Sequence, residues 1–322
     1  MKQYFSADWA MKFEGKEIPD IFSAGVPSTI EELEKIVDLK EVNQLSQDQL
    51  LQFPIREMAK FGWIKANVRE LKEHAGNYVK EFFAPLAGMQ QSQLLFRRSF
   101  TTEGVIKKAN PYAVTAWANR VLLKSSEAKD VGNYKAGIVD LDFMKTVAKF
   151  SSHDDGPLLA RDFLKENGIL LIVERHLSKT YLDGVVFLNE QKSPVIGLTI
   201  RYDRLDNFWF TLLHELAHVS KHLHSSADSF FDDLDNSDSS DPREIEADIL
   251  AKEALIPRSI WIRSNARKQL TQKSICDLAD ELEINPSIIA GRIRKELNNY
   301  NVFNNLLGKG LVRAKFNEVY WD

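Results

Sequence analysis

The run NFWFTLL at residues 207–213, followed at once by His214-Glu215-Leu216-Ala217-His218, constrains this chain more than any other segment. Apolar residues at that density are buried, and the element that carries them takes two histidines and a glutamate inside with it. Spaced four apart, the histidines fall on one face of an α-helix, one turn above the other, where both imidazoles reach a single ion. Glu215 projects about a quarter turn away, close enough to polarise a water on that ion without replacing a histidine. A bare HExxH occurs by chance in about one in a hundred chains of this size. Burying its three polar side chains without partners would be costly, so the apolar context argues for a metal. Neutral nitrogen ligands, an open fourth position and a carboxylate beside it are what a hydrolytic zinc requires. One Zn2+ per chain is expected, with Glu215 as the general base.

A third protein ligand is then needed. Glu244-Ile245-Glu246-Ala247-Asp248 opens a later helix and offers acids four apart. In that geometry Glu244 ligates, while Asp248, one turn on, accepts a hydrogen bond from the distal nitrogen of a zinc histidine and fixes its tautomer. Glu246 faces elsewhere and is the alternative ligand; otherwise it is a solvated side chain. His222 and His224 follow His218 closely, but three histidines stacked along one helix diverge too far to close a tetrahedron, so both read as helix-end or surface residues.

The rest of the chain accommodates this helix. Length, 322 residues, suits two or three modest domains, and the net charge of -4 with a pI near 6.0 lacks the basic footprint of a dedicated nucleic-acid binder. A single cysteine, Cys276, rules out an internal disulfide and a thiolate zinc site. The first residues lack the charge and apolar pattern of a signal peptide, and no stretch has the length of a membrane span, so a cytoplasmic protein is expected.

Capping-box spacing at Thr29 and Glu32 and helical patterns over residues 45–51, 53–62, 66–84 and 112–126 predict a helical region over 1–135 that docks or supports something. Residues 136–268 change texture. Two helices, the second stopped by Gly168, lead into apolar runs at 169–175, 184–188 and 195–200 that read as about three strands. The metal helix spans about 205–222, the acidic and serine-rich stretch 225–242 reads as a solvated loop gating access, and a further helix runs from Arg243 to before Pro257. Strand 195–200 is expected to offer a free edge beside the zinc to an extended peptide. Residues 269–322 hold two short helices around EINPS, with Arg292, Arg294 and Lys295 on the second. Their spacing is that of a helix-turn-helix, and they are read here as a small bundle capping the core. The fold class is thus α+β and helix-rich. No oxyanion stabiliser is identifiable; Arg201, Tyr202 and Arg204 lie near the motif in sequence, where such residues are usually structural.

At these residues the chain resembles the ImmA/IrrE family of metallopeptidases. DNFWFTLLHELAHVSKH and EIEADILAKEALIP carry the resemblance, with Asp248 at the family's Asn/Asp position and Pro257 closing its pattern. The segments LLFRRS…NPYAVTAWANR and INPSIIAGRIRKE are similar to stretches in members associated with HigA-type antitoxins, and the likeness covers most of residues 50–315. The resemblance implies a zincin-like core and a metallo-endopeptidase that cleaves or controls a helix-turn-helix repressor or antitoxin, in mobile-element, toxin–antitoxin or stress circuits. It also implies His214, His218 and Glu244 as ligands and Glu215 as base. Residues 1–50 lack the N-terminal helix-turn-helix of many relatives, which leaves the C-terminal helices as the one place for DNA contact. A non-proteolytic regulatory module with a structural or sensory zinc is the competing reading, and a hydrolase of non-peptide substrates would use the same motif.

Overall fold

The computed structural model describes residues 45–67, 70–87, 109–225, 228–232 and 241–321, together with Met89, Ser92 and Leu95. The capping box at Thr29, the segment LLFRRS apart from Leu95, and most of the acidic stretch lie outside the described residues. In chain order the α-helices are α1 (Gln47–Leu50), α2 (Ile55–Lys60), α3 (Ala75–Phe83), α4 (Pro111–Ser126), α5 (Leu141–Lys149), α6 (Gly156–Glu166), α7 (Leu205–Lys221), α8 (Pro242–Leu255), α9 (Arg258–Trp261), α10 (Asn265–Gln269), α11 (Gln272–Leu282) and α12 (Pro286–Glu296). Four strands accompany them: β1 (Leu170–Val173), β2 (Gly184–Leu188), β3 (Pro194–Leu198) and β4 (Ser229–Asp232). No helix among the described residues is long and apolar enough to cross a membrane. The architecture is α+β and helix-rich, consistent with a zincin-like core.

The strands form one mixed sheet in the order β1-β3-β2-β4, with β1 parallel to β3 and the other pairings antiparallel. Its strands read as unbroken apolar runs because both faces are covered. Val186, Leu188, Ile196 and Leu198 face one core with Phe208, Leu212, Leu213 and Leu216 of α7. Val185, Phe187, Val195 and Phe231 face the other, with Trp117 and Val121 of α4 and the helices before it. Each large side chain buried in these layers contributes about 1.5–3 kcal/mol. Gly197 is what lets α4 lie so close: a Cβ there would stand 2.8 Å from Val185 and 2.9 Å from Val121.

Three sequence expectations are corrected here. Strand β3 has no free edge, because β1 and β2 flank it on both sides; among the described residues β4 is the outermost strand on the side of the histidines. Part of the acidic stretch is also not a solvated loop. Ser229–Asp232 is a wholly buried fourth strand in register with β2, Gly184 opposite Asp232 and Val186 opposite Phe230. Phe230 and Phe231 supply enough apolar surface to override the surrounding acids. Over residues 66–84, a helix forms only from Ala75.

Helix α8 packs along α7 through Ala247, Ala251 and Ala254, an i, i+4, i+7 stripe of small residues that permits close approach. Asp241 caps its N-terminus by accepting from Arg243 N (2.9 Å), and Pro242 occupies the first turn, where no amide is needed. Helix α12 rests on the start of α7, with Gly291 against Asp206. Arg294 is buried and donates to Val302 O and Asn304 Oδ1 (2.9 and 2.8 Å), while Arg292 donates to Ile256 O and lies over the Trp261 ring. Both arginines thus serve the packing of this bundle.

Candidate metal centre

Helix α7 brings His214 and His218 together because both are on its buried inner face; they are 1 % and 0 % exposed. Their Nε2 atoms stand 3.1 Å apart. Glu244 arrives from the first turn of α8, where the helix dipole favours a carboxylate, and its Oε2 lies 3.2 Å from His214 Nε2 and 3.6 Å from His218 Nε2. Asp248, one turn further, places Oδ1 3.2 Å from Nδ1 of His214 and is held from behind by Lys252 (2.6 Å). The structure thus brings His214, His218, Glu244 and Asp248 into one constellation, with Glu215 fully buried beside it.

Glu215 has a cradle of its own. A Cβ on Gly184, the first residue of β2, would stand 1.7 Å from Glu215 Oε1 and 2.5 Å from its Cδ, so the carboxylate occupies the space that a side chain would fill.

Three participants were not expected from the sequence. Asp232, the last residue of β4, is 2 % exposed and puts Oδ2 3.8 Å from His214 Nε2 and 3.7 Å from His218 Nε2. With the two histidines and Glu244 it completes a set of four ligand atoms lying within 4.8 Å of one another. Six aspartates fall in residues 225–242, and nothing local singles out this one; the only hint is that it closes the apolar pair Phe230-Phe231. His222 is the second. It is not a bare surface residue: its Nδ1 lies 3.1 Å from Nδ1 of His218 and its Nε2 3.1 Å from Glu246 Oε2. With His218 Nε2 turned inward, its Nδ1 carries the proton and donates to His222, whose Nε2–H donates to Glu246. Glu246, 56 % exposed in its side chain, is therefore neither ligand nor free. Phe230 is the third, stacked on the His218 ring at 4.5 Å. His224 is exposed.

The residues near the motif that were candidates for charge stabilisation are engaged elsewhere. Arg201 pairs with Asp183 (3.1 Å), and Arg204 makes a two-pronged bridge to Asp206 (2.9 and 3.0 Å).

The electrostatics of this pocket call for a cation. Glu215 and Asp232 lie against each other, and no N–H or hydroxyl donor among the described residues meets an oxygen of either carboxyl. Burial pushes both groups well above the usual carboxylate range; the charges of Glu215 and then Glu244 raise Asp232 further, and Glu244 raises Glu215. Burial alone would disfavour the His214 imidazolium, but Asp248, Glu244 and Asp232 outweigh it and raise the ring to about 10. His218, buried and beside two other imidazoles, is lowered to about 4 although Glu244 opposes the shift. Burial works against the charge of Asp248 too, yet His214 and Lys252 bring it down to about 2. Buried carboxylates without donors are costly unless a positive charge compensates them. Two imidazole nitrogens and carboxylate oxygens at this spacing fit a divalent ion of the zinc type, whose tetrahedral bonds of about 2.0–2.1 Å separate ligand atoms by about 3.3–3.4 Å.

Compared with known families, residues 165–294 match the model of the IrrE N-terminal-like domain, Peptidase_M78. That span holds the whole sheet, both histidines, Glu215, Asp232, Glu244 and Asp248. No curated protein matches the chain.

Proposed function

From the premise that this chain carries an ImmA/IrrE-type domain of the M78 peptidase family over residues 165–294, we propose that it is a zinc-dependent endopeptidase. The observation that carries the reading is the placement of Glu215: a fully buried carboxylate, cradled by Gly184, beside two imidazoles and Glu244. A purely structural metal has no use for such a group. His214, His218 and Glu244 would hold the ion, with Asp248 and His222 fixing the two rings from behind. When bound, zinc supplies a Lewis acid that polarises the scissile carbonyl and lowers the pKa of an attacking water.

The chain's own residues do the rest. Glu215 accepts the proton of the attacking water and returns it to the leaving amine. The apolar packing around α7 keeps bulk water out, which strengthens each charge interaction within. The substrate we propose is a helix-turn-helix regulator or antitoxin-type protein, a reading that rests on the family resemblance.

The competing reading, a regulatory module with a structural or sensory zinc, gains one specific observation. A fourth candidate ligand, the buried carboxylate of Asp232, stands with the other three, and four protein ligands are the mark of closed sites. Incubating the zinc-loaded chain with the helix-turn-helix regulator encoded beside it separates the two. Cleavage by wild type and none by Glu215→Gln is expected; tight binding without cleavage by either would hand the case to the regulatory module.

A further inference from the structure

Asp232 goes unused in the mechanism above, yet few side chains in the molecule are placed so specifically. Its backbone is pinned by the sheet: Gly184 stands opposite in the β2 register, and Asp232 O accepts from Asp183 N (2.8 Å). Its side chain points away from solvent into the space between the two histidines, almost equidistant from their Nε2 atoms (3.8 and 3.7 Å). No N–H or hydroxyl donor meets either of its oxygens among the described residues; the polar group against it is a second carboxyl, that of Glu215. A carboxylate that merely filled space would leave two lone-pair-bearing atoms desolvated for nothing. Around an ion held by His214, His218 and Glu244, the point left vacant in a tetrahedron is about 3.3–3.4 Å from each ligand atom. Asp232 Oδ2 lies only a few tenths of an ångström beyond that distance from both histidines.

On the reading that this site holds zinc, we infer that Asp232 is a fourth, displaceable protein ligand that occupies the position an open catalytic zinc offers to water or substrate. The resting site is then closed. An incoming oxygen ligand enters by displacing the carboxylate, and since the backbone of β4 is fixed, a change of side-chain rotamer suffices. Zinc bound by three protein ligands and one releasable carboxylate combines the tight retention of a closed site with the reactivity of an open one.

The test uses the full chain as wild type, Asp232→Ala and Asp232→Asn, the last keeping the side chain's size should the alanine variant fold poorly. Zinc affinity is measured by competition with a chromophoric chelator. In the cobalt-substituted proteins, the affinity for acetohydroxamate is read from the visible absorption. Both variants are expected to hold zinc at least ~10-fold more weakly, the smaller of the losses seen when even outer partners are removed. They are also expected to bind acetohydroxamate at least ~10-fold more tightly, because a site open a tenth of the time has its apparent affinity cut tenfold. Wild type binding acetohydroxamate as tightly as both variants would overturn the inference, whatever the zinc affinities. Absence of a tightly held zinc in the wild type is a separate result, and it would sink the metallopeptidase reading itself.

Discussion

Replacing Gly184 by alanine isolates the contribution of the Glu215 cradle. The new methyl group would stand 1.7 Å from Glu215 Oε1, and the three nearest atoms, at 1.7, 2.5 and 3.1 Å, all belong to Glu215. Contacts under 3.0 Å are essentially never adopted by real Cβ atoms, so the carboxylate must move by at least 3.0 − 1.7 = 1.3 Å. Glu215 lies in the middle of a buried helix, and overpacking of that kind costs about 1–3 kcal/mol. The loss should vanish when Glu215 is truncated, since Glu215→Ala removes all three close atoms. Thermal or urea unfolding of the zinc-free wild type, the two single variants and the double variant gives the coupling directly. A coupling of about 1–3 kcal/mol is expected, with Gly184→Ala nearly neutral in the Glu215→Ala background. Zinc content should be unchanged, because His214, His218 and Glu244 keep their places on α7 and α8. In a cleavage assay, a displacement of more than an ångström at the general base should lower turnover by roughly 100-fold. Additive stabilities within about 0.5 kcal/mol, or wild-type turnover in Gly184→Ala, would refute the claim that this pocket sets the position of the base.

Other outcomes follow from the pairs behind the ligands. His222→Ala should weaken zinc binding by about 10–100-fold, with Glu246→Ala weaker in effect because that side chain is half in solvent; chelator competition measures both. Asp248→Ala should cost zinc affinity in the same range by freeing the ring of His214. Zinc loading should release protons at pH 7, since His214 stands at about 10 without metal and must be neutral to ligate; calorimetry in buffers of different ionisation enthalpy counts them, and affinity should climb from pH 7 toward 10. In the zinc-free protein the sign reverses. His214 is raised above its unfolded 6.5, so the stability it contributes is complete below that pH and is lost as pH rises to about 10. Asp248 is depressed from 3.8 to about 2, so its contribution holds above 3.8 and is lost as pH falls through about 2. Melting curves of the zinc-free protein across about pH 2–10 test both.

Much of this protein is determined over short spans of its sequence. The period of the α-helix puts His214 and His218 on one face and Glu244 and Asp248 on another, and the apolar run before the histidines dictates that they go inside. Proline and asparagine at 110–111 and 285–286 start α4 and α12 where the spacing predicts. The resemblance to a peptidase family is legible for the same reason, since its motifs are local. Tertiary structure decided the rest. Strand order comes from pairings between segments far apart in the chain, so among the described residues β3 lies inside the sheet and β4 outermost, where the local reading expected a free β3 edge and a solvated loop. Asp232 is one acid among six until that edge pairing carries its carboxylate between the two imidazoles. His222 and Glu246 look like surface residues until α8 packs along α7 through its alanine stripe and makes them a relay behind His218. Helical periodicity fixes which residues share a face; only the packing of faces fixes what they meet.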